Sequence, residues 1–144
     1  MLRAYKYRIY PTDEQKVLFA KTFGCCRFVY NWALNLKIEA YKLEKKSVAY
    51  KEVQNRMVNE LKKENQWLTE VNSQALLNSI RNLDTAYKNF FRDTHAVGFP
   101  RFKSRKNRQS FQCPQHCSVD FGKGTVSIPK AKDIPAVLVL RPTN

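Results

Sequence analysis

NSQALLNSIRNLDTAYKNFFRDTHAVGFPRFKSRKNR, Asn72–Arg108, decides how the rest of the chain is read. Asn72 or Ser73 can cap a helix by accepting a backbone N–H. Leu76, Ile80, Leu83, Tyr87, Phe90 and Phe91 then recur at steps of three, four and one. That spacing predicts a long helix with one apolar face. Gly98 and Pro100 are expected to stop it. Arg101, Lys103, Arg105, Lys106 and Arg108 follow, interleaved with Phe99 and Phe102, and no acid occurs between Asp93 and Asp120. A helix that delivers a cationic, aromatic segment suits a nucleic-acid backbone, with cations for phosphates and rings for bases. The plainer alternative is a solvated basic linker.

The remainder is consistent with that emphasis. The chain has 144 residues, enough for one domain, or one domain and a tail. Lys and Arg number 26 against 12 Asp and Glu, a formal net charge of +14. An excess of this size points to a polyanionic partner. No apolar run approaches the roughly 20 residues a bilayer requires, and no signal peptide is read at the start. A cytoplasmic protein without a membrane partner is expected.

The first segment, Leu2–Tyr10, reads as a strand, with Arg3, Tyr5, Tyr7 and Ile9 on one packed face and Lys6 and Arg8 facing outward. Arg3, Lys6 and Arg8 thus join the candidate backbone contacts. Thr12 and Gln15 form a capping box, and Asp13 and Glu14 suit the positive end of the helix dipole. A helix with Val17, Leu18, Phe19 and Phe23 on its buried side is expected to break at Gly24. A second helix, about Cys26–Leu43, would bury Phe28, Val29, Trp32, Leu36 and Ala40 and present Arg27, Asn31, Asn35 and Lys42. The pair resembles a helix-turn-helix, and Arg and Asn are side chains that read base edges. A third helix, about Tyr50–Lys63, shows Val53, Met57 and Leu61 on one side. Trp67 is expected to plug the helical core.

After the basic segment the texture turns to β. Ser110–Cys113, Ser118–Phe121, Thr125–Ile128 and Ala136–Leu140 are short strand-type runs, with Gly122 and Gly124 marking a hairpin and Pro129 and Pro135 bounding the others. Ala136–Leu140 would be a buried strand without a neighbour, and self-association through that incomplete edge is expected. The divisions are 1–12 as a first strand, 13–96 as a helical region, 97–108 as a basic linker and 109–144 as further strands. The fold class is α+β.

Little catalytic equipment is visible. The acids are scattered, and His95 and His116 stand apart from any nucleophile. G-x-S-x-G, H-E-x-x-H and phosphate-cradling glycine loops are missing. Cys113, His116 and Cys117 lie in CPQHC, which lacks the usual C-x₂-C knuckle; buried reduced thiols are expected for the cysteines. No catalytic residue, metal ligand or cofactor is assigned.

YRIYPTDEQ, CCRFVYNWAL, VNSQALLNSIRNLDTAYKNFFR and GFPRFKSRK, in this order and spacing, resemble the N-terminal part of OrfB/TnpB-type proteins of insertion sequences. These transposase-family proteins are RNA-guided DNA nucleases related to type V CRISPR effectors. The resemblance covers nearly the whole chain and weakens after Lys130. It implies a helical recognition domain of about four helices inserted into a partial antiparallel wedge β-barrel. It implies guide RNA and DNA as partners. It also implies that Tyr50, Ser73, Gln74, Leu77 and Gln112 lie where a short DNA motif beside the target is read, and that Arg101, Lys103 and Arg105 lie along the phosphate path. Family members are much longer, and their Mg²⁺-binding carboxylates and zinc ribbon lie in the C-terminal part that this chain lacks. The resemblance therefore implies a nucleic-acid-holding portion without its own active site. The alternatives are a stand-alone helix-turn-helix regulator, an inactive remnant of a transposon gene, and a nuclease subunit whose partner supplies the acids.

Overall fold

A computed structural model describes residues 2–93 and 95–138. They form an α+β protein of two compact units. The described residues of Met1–Ala20 and Cys113–Asn144 make one, and Lys21–Gln112 the other.

In the first unit a four-stranded antiparallel sheet has the order β1-β4-β3-β2. Its strands are β1 (Arg8–Ile9), β2 (Ser118–Asp120), β3 (Thr125–Ile128) and β4 (Ala131–Val137). β2 and β3 join through the expected hairpin. Gly124 takes φ +67°, donating its N–H to the Asp120 carbonyl at 2.9 Å, while the Asp120 carboxylate accepts from the Lys123 N–H at 3.0 Å. The left-handed backbone there suits glycine.

Several strand expectations need correction. Ordered pairing of the first segment is confined to Arg8 and Ile9 and an isolated bridge at Tyr5. Tyr5 and Ile9 are exposed, so that face is not packed. Ser110–Cys113 is not a strand. Pro135 sits inside β4, not at its end. Its carbonyl accepts from the Tyr10 N–H at 2.7 Å, and the adjacent Ala136 N–H donates to Gly124, so proline is carried without a donor of its own. Ala136 and Val137 are not a bare edge: β4 lies between β1, with Arg8 opposite Val137, and β3, with Thr125 opposite Pro135. Val139 and Leu140 of the expected strand lie outside the described residues. Ile134 and Ala131 are the buried apolar residues among the described residues of this unit.

Helix α1 (Asp13–Glu44) starts at the predicted capping box. The Thr12 N–H donates to Gln15 Oε1 at 2.9 Å, and the Gln15 N–H to Thr12 Oγ1 at 3.3 Å. It does not break at Gly24. A helical glycine costs about 1 kcal/mol against alanine. Thr22, Cys25, Cys26 and Val29 are all buried around it, and their packing outweighs that cost. The buried stripe continues through Tyr30, Ala33 and Leu34. Phe28, expected inside, is exposed, whereas Trp32, Leu36 and Ala40 pack partly buried against the core.

α2 (Tyr50–Arg56) passes through a wide π-turn (Met57–Leu61) into α3 (Lys62–Glu64), close to the expected span. Val53, Met57 and Leu61 are all buried, as their spacing predicts. A strict four-residue step overruns a turn of about 3.6 residues, and a wider turn absorbs the overrun. A 3₁₀ turn (Gln66–Glu70) follows. Leu68, not Trp67, plugs the core: Leu68 is fully buried, while Trp67 is 43% exposed and packs edge-on against Phe28 at 4.9 Å.

α4 (Ser73–Arg92) is capped by Asn72, whose Oδ1 accepts from the Gln74 N–H at 3.1 Å. Leu76, Ile80 and Leu83 are fully buried, each burial stabilising by roughly 1.5–3 kcal/mol. The helix ends before Gly98. The Asp93 carboxylate accepts from the His95 and Ala96 N–H groups at 3.2 and 3.1 Å, offering the backbone an alternative to another helical turn.

Candidate nucleic-acid interface

Residues 97–108, expected as a linker, belong to the helical unit and are strapped onto it. Pro100 is buried. Asn31, on α1, clasps the strap backbone from both sides. Its Oδ1 accepts from the Lys103 N–H at 2.7 Å, and its Nδ2 donates to the Lys103 carbonyl at 2.9 Å. One turn earlier on α1, Arg27 donates to Gln109 Oε1 at 2.9 Å. Phe111 closes the strap edge-on against Phe23 at 5.3 Å. The strap bends at Ser104–Asn107, where the Asn107 N–H donates to the Ser104 carbonyl at 3.2 Å.

Arg27 and Asn31, which the helix-face reading expected at base edges, each make hydrogen bonds that hold the strap segment. The strap's own cations are left outward: Arg101, Lys103, Arg105, Lys106 and Arg108 are all exposed, and none is ion-paired among the described residues. Lys103 sits 4.4 Å above the Tyr30 ring, a cation–π contact that steadies its stem. Among the four ion pairs of the described residues, none joins the strap, so its field is not neutralised locally.

The two strap aromatics differ. Phe102 is 52% exposed. Phe99 is partly held, packing edge-on against Tyr87 and Phe90 at 5.4 Å each, yet it stays 43% exposed. Behind the strap a polar cavity of about 80 Å³ is lined by Asn78, Ser79, Asn82, Asn107, Gln109 and Gln112, among others. Gln112 lines it together with Ala75 and Asn78, and Asn78 stands one turn beyond Gln74 on α4. Asn78 is buried and donates to the Gln74 carbonyl at 3.0 Å. Tyr50 and Leu77 are half-buried against the core cluster, which limits how much of either can face a ligand. Arg3, Lys6 and Arg8 are exposed on the sheet unit.

Several titrating groups are perturbed mainly by burial. It pushes the Cys25 thiol up to about 11, with Cys26 and Glu70 adding to the effect and Lys21 opposing it. It raises the Tyr30 and Tyr87 hydroxyls and lowers Lys37, which Asp84 partly offsets. Cys117, raised by burial and by Cys113, is exposed, and its Sγ donates to the Cys113 carbonyl at 3.2 Å. Among the described residues no group of three or more His, Cys, Asp or Glu side chains could hold a metal ion. No helix of the described residues is long and apolar enough to cross a membrane.

The helix-turn-helix domain of the OrfB/IS605 family matches residues 1–46. In this structure residues 13–44 of that stretch are one helix, and the turn to the next lies at 45–49. A putative RNA-guided DNA endonuclease of Streptomyces pristinaespiralis is 42% identical over 110 residues, 75% of this chain and 27% of that protein. The putative RNA-guided DNA endonuclease InsQ of Escherichia coli is 37% identical over 131 residues, 90% of this chain and 32% of that protein. Virulence protein VsdF of Salmonella dublin is 34% identical over 116 residues, 75% of this chain and 98% of that protein. The chain thus spans about a third or less of the two endonuclease relatives and nearly all of VsdF. By the family match and by the two endonuclease relatives, the chain belongs to the OrfB/TnpB family.

Proposed function

We propose that this chain is a nucleic-acid-holding portion of a TnpB-type RNA-guided system. In this reading it grips guide RNA and its DNA partner by their phosphates and does not itself cut them. The observation that carries the reading is the strap. Its backbone is held by Asn31, and an Arg27–Gln109 side-chain bond secures the residue that follows, while its five cationic side chains remain exposed and without ion pairs among the described residues. A pre-ordered cationic rail loses less freedom on binding than a floppy tail would. The helical region acts as the recognition domain and the sheet as part of a wedge barrel. Arg3, Lys6 and Arg8 add phosphate contacts from the sheet unit. Ser73, Gln74 and Gln112 read a short DNA motif, with Gln112 in the polar cavity behind the strap. The magnesium and zinc of the family belong, in this reading, to sequence outside this chain.

Replacing Arg101, Arg105 and Lys106 together by Gln tests it. Each lost phosphate contact should reduce the slope of log K against log salt by about 0.7 on a single strand or 0.9 on a duplex, so the triple variant should flatten it by roughly 2–3. Affinity for unrelated sequences should fall alike. Unchanged affinity and slope would return the strap to a structural brace. A second reading, a stand-alone DNA-binding regulator, draws on the helix-turn-helix match and on the near-complete coverage of VsdF, a relative of similar length. It would be preferred if the chain bound one duplex sequence selectively without any RNA.

A further inference from the structure

At the start of the strap lies a groove of about 470 Å³ that the phosphate grip does not use, within the roughly 300–1,000 Å³ of ligand-sized clefts. Tyr41 of α1, Tyr87, Phe90 and Phe91 of α4, and Phe99 supply its rings. They pack edge to face: Phe90 meets Phe91 at 5.3 Å and 66°, and Phe99 at 5.4 Å and 87°. Aromatic rings packed this way turn some faces out to solvent. Phe91 is 70% exposed and Tyr41 60%. Neither ring is needed for the core, and large exposed aromatic patches on a soluble unit mark a binding surface.

Charge selects the occupant. No acid lines the groove. Lys42 is exposed on its rim and makes no ion pair among the described residues. Lys45 holds its ammonium 5.2 Å from the Tyr41 ring. Lys46 pairs with Glu44 at 3.3 Å, but both are exposed and such pairs contribute little. Lys37 lies deeper, donating to the Val48 carbonyl at 2.6 Å and lying 4.9 Å from the Tyr87 ring. Open ring faces select flat groups, and a cationic rim selects anions. A single strand with unpaired bases offers both, whereas a duplex has already stacked its bases on one another. Phe99 belongs to the groove and opens the strap, so a strand lying along Arg101–Arg108 meets the groove at its end.

We propose that this groove stacks unpaired bases of the single strand whose phosphates the strap holds. The proposal rests on the nucleic-acid reading above and extends it from backbone to bases. The full chain is titrated with oligo-rA and with an abasic ribose-phosphate oligomer of equal length. It is compared with the Tyr41→Ala/Phe91→Ala double variant, whose fold is checked by circular dichroism. The intact chain should prefer oligo-rA by about tenfold or more, the scale of one stacked base. The double variant should lose that preference and keep the salt slope. The Arg101→Gln/Arg105→Gln/Lys106→Gln variant should weaken both oligomers alike and keep the preference. Equal binding of the two oligomers by the intact chain, or a preference that survives the double variant, overturns the groove assignment while leaving the phosphate grip standing. Failure of the intact chain to bind either oligomer removes both. Capture of an acidic aromatic peptide by the intact chain but not by the double variant, without any preference for oligo-rA, would assign the groove to a protein partner and also overturn the proposal.

Discussion

Asn31 shows how one side chain turns a loop into an ordered element. Its amide offers an acceptor and a donor to the two backbone groups of Lys103, as a neighbouring strand would. Asn31→Ala removes both bonds, a loss of about 1–2 kcal/mol for a pair that remains solvent-accessible. The expected result is faster tryptic cleavage after Arg101, Lys103 and Arg105 and a small fall in melting temperature. Cleavage at the rate of the parent chain would show that Pro100 and Phe111 hold the strap unaided. Cys25 makes a second prediction. Burial raises its thiol from the ordinary 9.0 to about 11, so the folded state retains a proton that the unfolded state loses. The stability this contributes is complete below pH 9 and is lost as pH rises through about 11. Cys25→Ala should reduce the alkaline slope of unfolding free energy without abolishing it, because the raised Tyr30 and Tyr87 act in the same direction. An unaltered slope would show that the thiol does not titrate in that window.

Elements tolerate what single residues advise against when enough is buried on either side. Gly24 is a helix breaker by propensity, yet α1 runs through it. A methyl built at Gly24 would approach only the Arg27 guanidinium, at 3.7 Å, an ordinary contact. Gly24→Ala should therefore stabilise the protein by about 0.5–1 kcal/mol, seen as a higher denaturation midpoint with the same dependence on denaturant. Destabilisation would mean that the helix needs the glycine to bend there. At the other end of the helical unit, α4 stops at Asp93 through a side-chain bond to its own backbone, well before the glycine and proline that its sequence advertises. Asn72, by contrast, caps as its type predicts.

The two units of the whole molecule differ in how much they bury. Sixteen apolar residues form the buried cluster of the helical unit, against Ala131 and Ile134 in the described part of the sheet. Local stability follows buried apolar contact. Amides of β2 and β3 should therefore exchange with solvent well before those of Val29–Leu34 and Ile80–Leu83. Hydrogen exchange read by mass spectrometry checks the order. Equal protection of sheet and helices would show that the sheet gains support beyond its own buried residues.

The sequence by itself determined what local chemistry controls. The capping box at Thr12, the Asn72 cap, the Val53–Met57–Leu61 face and the Asp120–Gly124 hairpin each depend on residues within a few positions of one another. The cationic content of the strap was equally legible, because charge is additive along a chain. Only the tertiary structure decided that the strap is docked, that Arg27 and Asn31 are its anchors, and that Leu68 fills the core in place of Trp67. Asn31 and Lys103 are 72 positions apart, and no periodicity encodes a pairing over that distance. The same holds for the aromatic groove, where Tyr41 and Phe91 line one cleft although they are distant in the chain. Contacts between elements are selected by packing of the whole core, and there the best local choice for one residue yields to the burial of its neighbours.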